Sequence, residues 1–187
     1  MARSEGGARS RLQQAALALF HEKGYEQTTA AEIAERAGVT ERTFFRQFPD
    51  KREVLFDGEK VLRAALLTSI EAAPAGLGAV DTLFRAFRSV EPLLAANRPF
   101  SVPRHTIIAA TPALREREVA KLAALTDALA EALRARGTGQ LQALLAAQAS
   151  MAAFVHSTVA WIADPAPGLG ERLDGALAEL KALLTAP

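Results

Sequence analysis

The side chains best suited to recognition chemistry crowd into Thr28–Lys51, TTAAEIAERAGVTERTFFRQFPDK. Arg42 carries a planar fork of N–H donors that matches the O6 and N7 acceptors of guanine, a contact worth roughly 1–3 kcal/mol of discrimination. Thr43 offers its methyl to thymine or its hydroxyl to a base or phosphate. Gln47 can hydrogen-bond a phosphate, and Arg46 and Lys51 supply cations. Thr29 stands at the start of a helix, where free amides favour an anion. Together these are the groups of a nucleic-acid reader. The groups of a catalyst are missing. There is no cysteine, which removes thiolate nucleophiles, Cys-ligated zinc and disulfide scaffolds. His21, His105 and His156 have no metal-ligand spacing, no nucleophile–base–acid set is readable, and Gly-Leu-Gly at 168–170 is not a phosphate loop. Neither an enzyme nor a metal or cofactor site is expected.

Such side chains must be carried on short, well-stopped elements. Thr28 or Thr29 caps a helix, and Glu32, three residues after Thr29, completes a capping-box pattern. Ile33, Ala34 and Ala37 face inward, and Gly38 supplies a tight turn. Thr40 caps the next helix, Glu41 to about Phe48, which Pro49-Asp50 stops. Phe44 and Phe48 lie four apart and point into a small core. Glu41, Arg42, Thr43, Phe45, Arg46 and Gln47 then lie on outward or flanking faces. Two short helices joined by a glycine turn make a helix-turn-helix, whose second helix enters a DNA major groove. An earlier helix, about Ala8–Lys23, buries Leu12, Ala15, Ala16, Leu19 and Phe20 and ends at Gly24. The N-terminal segment MARSEGGARS reads as a flexible arm. Arg3, Arg9 and Arg11 can reach DNA from it, in the minor groove among other places.

The rest of the chain reads as helix too. Half of its 187 residues are hydrophobic and only 6% aromatic, with Ala and Leu dominant. No alternating β-branched run argues for a strand. Long helices are expected at about Lys51–Ile70, at Ala79–Asn97 with a kink at Pro92, from Pro112 to about Arg136, at 139–163 and at about Gly170–Leu184. A short helix is expected at Arg104–Ala110, inside an irregular stretch flanked by Pro99 and Pro103. The fold class is all-α with about nine helices. The expected division is 1–52 for the DNA-binding head and 53–187 for a helical ligand-binding and dimerisation bundle. No run of 18 uninterrupted apolar residues suggests a membrane span, the N-terminus has no apolar stretch of a signal peptide, and a cytoplasmic location is expected. Residues 1–52 hold nine Lys/Arg against seven Asp/Glu, so the head is +2 within a chain of +1. This suits locally placed contacts, not a polybasic coat.

Across about residues 9–56 the chain resembles the tetracycline-repressor (TetR) family of bacterial transcription regulators. The matching residues are Ala15-Ala16, Leu19-Phe20, Gly24-Tyr25, Thr28-Thr29, Ile33-Ala34, Ala37-Gly38-Val39, Thr43, Phe48, Lys51 and Val54-Leu55, without a gap. The resemblance implies an all-helical homodimer. Three N-terminal helices bind an operator, and C-terminal helices hold a small-molecule pocket and the dimer interface. It implies DNA contacts from Thr28, Thr29, Thr40, Glu41, Arg42, Thr43, Phe45, Arg46, Gln47 and Lys51, with Lys51 placed like the family's phosphate-contacting lysine. The chain departs from the family pattern at three positions. Phe45 stands where Tyr is usual, Gln47 where His is common, and Arg42 where small residues are frequent.

For the second half, Phe84, Phe87, Arg88, Phe100, His105, Met151, Phe154 and Trp161 are the candidate ligand lining. Each aromatic taken singly reads first as core, and as a set they mark the aromatic-rich region. Leu173, Leu177, Leu180 and Leu184 form a stripe beside the nearly all-apolar 139–163 segment, and burying both in a four-helix bundle with a second copy suits a two-fold dimer. The expected function is a sequence-specific repressor released from a palindromic operator by a small molecule. The alternative is a DNA-binding regulator controlled by a protein partner.

Overall fold

The computed structural model describes the backbone of residues 2–185 and the side chains of residues 7–183. Among these residues all regular structure is helical. The elements are α1 (Ala2–Lys23), α2 (Ala30–Arg36), α3 (Glu41–Gln47), a 3-10 turn (Glu53–Phe56), α4 (Glu59–Glu71), α5 (Ala79–Ser89), α6 (Glu91–Ala110), α7 (Pro112–Ala135), α8 (Gln140–Ala163) and α9 (Leu169–Thr185). The all-α expectation and its nine α-helices hold.

Four boundaries differ from the sequence expectation. α1 begins at Ala2 instead of Ala8, so the expected arm is helical; its side chains before Gly7, Arg3 included, lie outside the described residues. The expected Lys51–Ile70 helix is broken, because the Asp50 carboxylate accepts from the Arg52 and Glu53 amides at 2.8 and 3.1 Å and folds the chain into the 3-10 turn before α4 starts. The expected kink at Pro92 is a helix start instead. α5 stops at Ser89, and Pro92 sits in the first turn of α6, where its missing N–H costs nothing. Pro99 and Pro103, expected to flank an irregular stretch, lie inside α6. Each removes one ladder bond, yet the helix runs on to bury Ile107 and Ile108.

The chain folds as two compact units. One contains the residues up to Glu59 together with Pro99–Glu118, and the other contains Lys60–Arg98 together with Val119 onward. In the first, α1, α2, α3 and the 3-10 turn share a core of Leu12, Ala16, Phe20, Ile33, Phe44, Phe48 and Leu55, joined by Ile107, Ile108 and Leu114. In the second, Leu66 and Ile70 of α4 and Leu83, Phe84 and Phe87 of α5 pack with Leu129, Ala147, Met151, Phe154 and Leu173. α8 has the length and composition of a membrane-crossing helix. One face of it, from Ala143 to Trp161, belongs to this core, which accounts for its apolarity on that side.

The centre of the second core is aromatic. Phe87 stacks on Phe154 with ring centroids 4.4 Å apart and meets Phe84 edge-on at 5.7 Å. Phe87 is fully buried. Phe87→Ala should therefore destabilise the protein by about 3–5 kcal/mol, through lost transfer energy and the cavity left between the rings. Urea denaturation followed by circular dichroism measures it.

Candidate nucleic-acid interface

The candidate recognition surface is built on two seven-residue helices, each fixed at its ends. Thr29 caps α2 reciprocally with Glu32: the Glu32 amide donates to Thr29 Oγ1 at 3.3 Å, and the Thr29 amide donates to Glu32 Oε2 at 2.8 Å. Lys23 of α1 pairs with the same Glu32 carboxylate. The donated bond from Lys23 comes first, and the two from Thr29 add to it, in holding the Glu32 carboxyl down at about 2. At the other end of α2, Gly38 has φ +65°, and its amide reaches Glu35 O while the Val39 amide reaches Ala34 O, both at 3.0 Å. That is a Schellman stop, which needs a residue at ease in the left-handed region. Thr40 then caps α3 by accepting from the Thr43 amide at 3.2 Å, and the two hydroxyls sit 3.0 Å apart.

α3 divides cleanly into faces. Phe44 and Phe48 are buried, their centroids 5.9 Å apart. Glu41, Arg42, Phe45 and Arg46 are exposed, and Thr43 and Gln47 are half-buried. Phe45 is 51% exposed with its ring edge-on to Phe44 at 5.3 Å. Among the described residues, Arg42 and Arg46 have no carboxylate partner, whereas Arg36 is tied to Glu22 at 2.5 Å and Arg52 to Asp50 at 2.8 Å. The outward face of α3 thus presents two uncommitted guanidiniums beside an exposed ring.

Two of the expected contact residues are engaged elsewhere. Thr28 is 1% exposed, and its hydroxyl donates to Gly24 O at 2.8 Å, so it fastens the α1–α2 loop from inside. The Lys51 ammonium donates to the carbonyls of Tyr25, Glu26 and Thr28 at 2.8, 3.3 and 2.9 Å and lies 4.3 Å over the Tyr25 ring. Its three protons match three carbonyls. Lys51 braces the loop, and burial pushes the Tyr25 phenol beneath it up to about 12. The expected arm residues are likewise committed. Arg11 donates to Ala37 O at 3.0 Å. Arg9 pairs with Asp57, donates to Gln47 at the end of α3 and lies 4.5 Å over Phe48. Its guanidinium is held above its ordinary value by the Asp57 hydrogen bond.

The 3-10 turn is gripped from a second side. Arg104 of α6 donates to Leu55 O at 2.5 Å, pairs with Glu118 at 3.0 Å and lies 5.0 Å from the centre of the Phe56 ring. Burial draws this guanidinium below its ordinary value, against the opposing pull of Glu118. Arg117 of α7 donates to Glu53 at 2.8 and 3.0 Å. Sequence reasoning missed Asp57, Glu118 and Arg117 and took Arg104 for a cation of the ligand lining, because their partners lie far away in the chain and no local spacing announces them.

The expected ligand lining is divided between the two units. Phe100 and His105 belong to the first, and Phe84, Phe87, Met151, Phe154 and Trp161 are buried in the second. There Phe87 meets both Phe84 and Phe154 ring on ring, and the exposed Arg88 pairs with Asp174. Of the expected interface leucines, Leu173 is 0% exposed and belongs to its own chain's core. It is covered by its own chain and not open to a second copy, which corrects its place in the stripe. Leu177 and Leu180 are half-buried against that core, and the Leu184 side chain lies outside the described residues. A groove of about 460 Å³ runs between α8 and α9, lined by Ala153, His156, Ala160, Ala176, Leu180 and Leu183 among others.

Residues 12–57 match the family model for bacterial regulatory proteins of the tetR family, and residues 77–185 match that for the MftR C-terminal domain. The HTH-type transcriptional regulator TcmR of Streptomyces glaucescens is 42% identical over 82 residues, which are 44% of this chain and 36% of that protein. The aligned part spans about a third of the length of the curated relatives it matches. Among solved structures, FadR of Thermus thermophilus, a TetR-family transcriptional repressor, is 30% identical with a TM-score of 0.60, over 94% of this chain and 93% of that one. The SmeT–triclosan complex, 23% identical with a TM-score of 0.61 over 92% and 90%, shares the fold.

Two outcomes follow from the head's geometry. The folded Glu32 carboxyl titrates near 2, below its ordinary value of 4.5, so its capping contribution is full above pH 4.5 and is lost as the pH falls toward 2. Glu32→Gln should remove this part of the acid sensitivity, read by an NMR acid titration of the α2 amides. Lys51→Met keeps the stem but strands three carbonyls, and should cost about 1–2 kcal/mol in thermal denaturation.

Proposed function

The chain belongs to the TetR family of bacterial regulatory proteins, and from that premise we propose that it is a sequence-specific DNA-binding transcriptional repressor acting in the cytoplasm, released from a palindromic operator by a small-molecule ligand. The observation that carries this is the outward face of α3. Arg42 and Arg46 stand there exposed and unpaired, on a helix whose opposite face is locked into the head by Phe44 and Phe48. In this reading α3 lies in the major groove. Arg42, in its first turn, takes the O6 and N7 of a guanine, with Thr43 beside it. Thr29, Thr40, Glu41, Arg46 and Gln47 border the groove, and Gln47 approaches a phosphate. Phe45 packs its ring on sugar and forgoes the hydroxyl contact of a tyrosine.

The reader is a two-fold homodimer built on α8 and α9. In support, α8 exposes Leu141, Leu145 and Val159 on the side away from its core, and α9 exposes Leu183, at 67, 56, 38 and 76%. With the small-residue groove between the two helices, this is more apolar surface than a monomer ordinarily leaves wet. A symmetric dimer places two α3 helices on two half-sites of one operator.

The ligand acts on the second unit. FadR was solved with lauroyl-CoA and SmeT with triclosan. In this reading the ligand lies beside Phe84, Phe87, Met151, Phe154 and Trp161 and parts the stacked rings of Phe87 and Phe154 as it enters. Ligand and operator thus favour different packings, which is the differential affinity that release requires. A second reading, control by a protein partner, draws on the closed packing of the same rings. A compound panel that never moves the melting temperature or DNA release would favour it.

Selection of bound duplexes from a random pool tests the main reading. Arg42→Ala should lose the preference for guanine at one position of each half-site and bind the selected site about tenfold or more weakly. Unchanged selectivity would remove Arg42 from the reading. Val159→Glu should place a charge in the α8–α9 interface and give a monomer in sedimentation, with the head still folded.

A further inference from the structure

Gln47 closes α3, and its side chain stands on the flank of the outward face. Arg9 Nη1 donates to its backbone carbonyl at 3.0 Å and to its Oε1 at 3.2 Å. The first bond satisfies one of the carbonyls that a helix end leaves without an internal partner, and it sets a cation at the end of the helix that favours one. The rest of the guanidinium is spoken for. Nε donates to Asp57 Oδ2 at 2.7 Å, Nη2 pairs with Asp57 Oδ1, and the plane lies 4.5 Å from the centre of the Phe48 ring. Gln13, one turn along α1 from Arg9, donates to Asp57 Oδ2 at 3.2 Å and steadies the carboxylate. Once Oε1 is occupied by Arg9, the free end of Gln47 is its Nε2, which carries two donors and no acceptor.

We propose that Arg9 is a positioning residue for DNA recognition: through Asp57 and Phe48 it is fixed against the end of α3, and there it holds Gln47 with its amide donors turned toward a phosphate, without touching DNA itself. The proposal rests on the reading that α3 enters the groove. It gives Gln47 a one-way role as donor, and it gives the charge of Arg9 a structural partner in place of the DNA contact expected of an N-terminal arginine. Because Asp57 directly follows the 3-10 turn held by Arg104 and Arg117, displacement of that turn would loosen Arg9 and the Gln47 donor with it.

The test measures binding of the full-length protein to a duplex carrying its own selected site, as a function of salt, for Arg9→Gln, Arg9→Lys, Gln47→Ala and the Arg9→Gln/Gln47→Ala pair. Arg9→Gln should weaken binding about tenfold with an unchanged slope of log affinity against log salt. Arg9→Lys should not restore it, because an ammonium cannot reproduce the planar fork. In the Gln47→Ala background, Arg9→Gln should add less than about a twofold loss. A slope flattened by about 0.9 would mean that Arg9 neutralises a phosphate directly, and fully additive losses would mean that it acts independently of Gln47; either overturns the proposal. If Arg9→Gln does not fold, Asp57→Asn loosens Arg9 from its other side and should give the same loss and the same non-additivity with Gln47→Ala, and additivity there overturns it equally. Failure of the wild-type protein to select any site would instead overturn the DNA-reading function, and this proposal with it.

Discussion

A helix of seven residues does not persist in water by itself, since nucleation costs more than two turns return. α3 therefore owes its existence and its aim to what it is docked on. Phe44 and Phe48 anchor one face in the head's core, Thr40 closes its start, and Arg9 closes its end. Everything that faces outward is a consequence of that docking. Arg42 and Arg46 are free because the buried face holds the helix without them, and the neighbouring basic residues already have carboxylates of their own. A head of net charge +2 can in this way offer uncommitted cations where a groove would meet them.

The same economy governs the loops around the helix-turn-helix. Lys51 donates its three protons to the α1–α2 loop, and the buried Thr28 its hydroxyl, so both residues shape the surface by holding that loop. The 3-10 turn that follows is held on one side by Arg9 and Gln13 through Asp57, and on the other by Arg104 and Arg117. It has polar grips on two sides, and Val54, Leu55 and Phe56 also anchor it in the head's core.

Much of the head was legible in the sequence, because its signals are local. A Thr three residues before a Glu, a glycine at a helix end and two phenylalanines four apart each declare their role within one turn. The second half yielded correct helices and several wrong edges. Proline was the reason. Pro92 marks a start, while Pro99 and Pro103 are carried inside α6, and whether a proline breaks a helix depends on how firmly the flanks are packed. The leucine stripe of α9 misled in a related way. Helical spacing says that Leu173 and Leu180 are near one face, but not which neighbour covers each; Leu173 is covered by its own chain. Within the aromatic set Phe84, Phe87 and Phe154 pack ring on ring, an arrangement that depends on contacts between α5 and α8 and not on composition. Long-range ion pairs left no local trace at all.

In the proposed function one surface does the reading, the outward face of the helix-turn-helix. Hydrogen–deuterium exchange of the full-length protein, with and without a duplex selected by that protein, tests it most directly. Slower exchange confined to the segment from Thr28 to Phe48 on adding the duplex is the predicted result. Protection that appears elsewhere, with this segment exchanging as before, would contradict it.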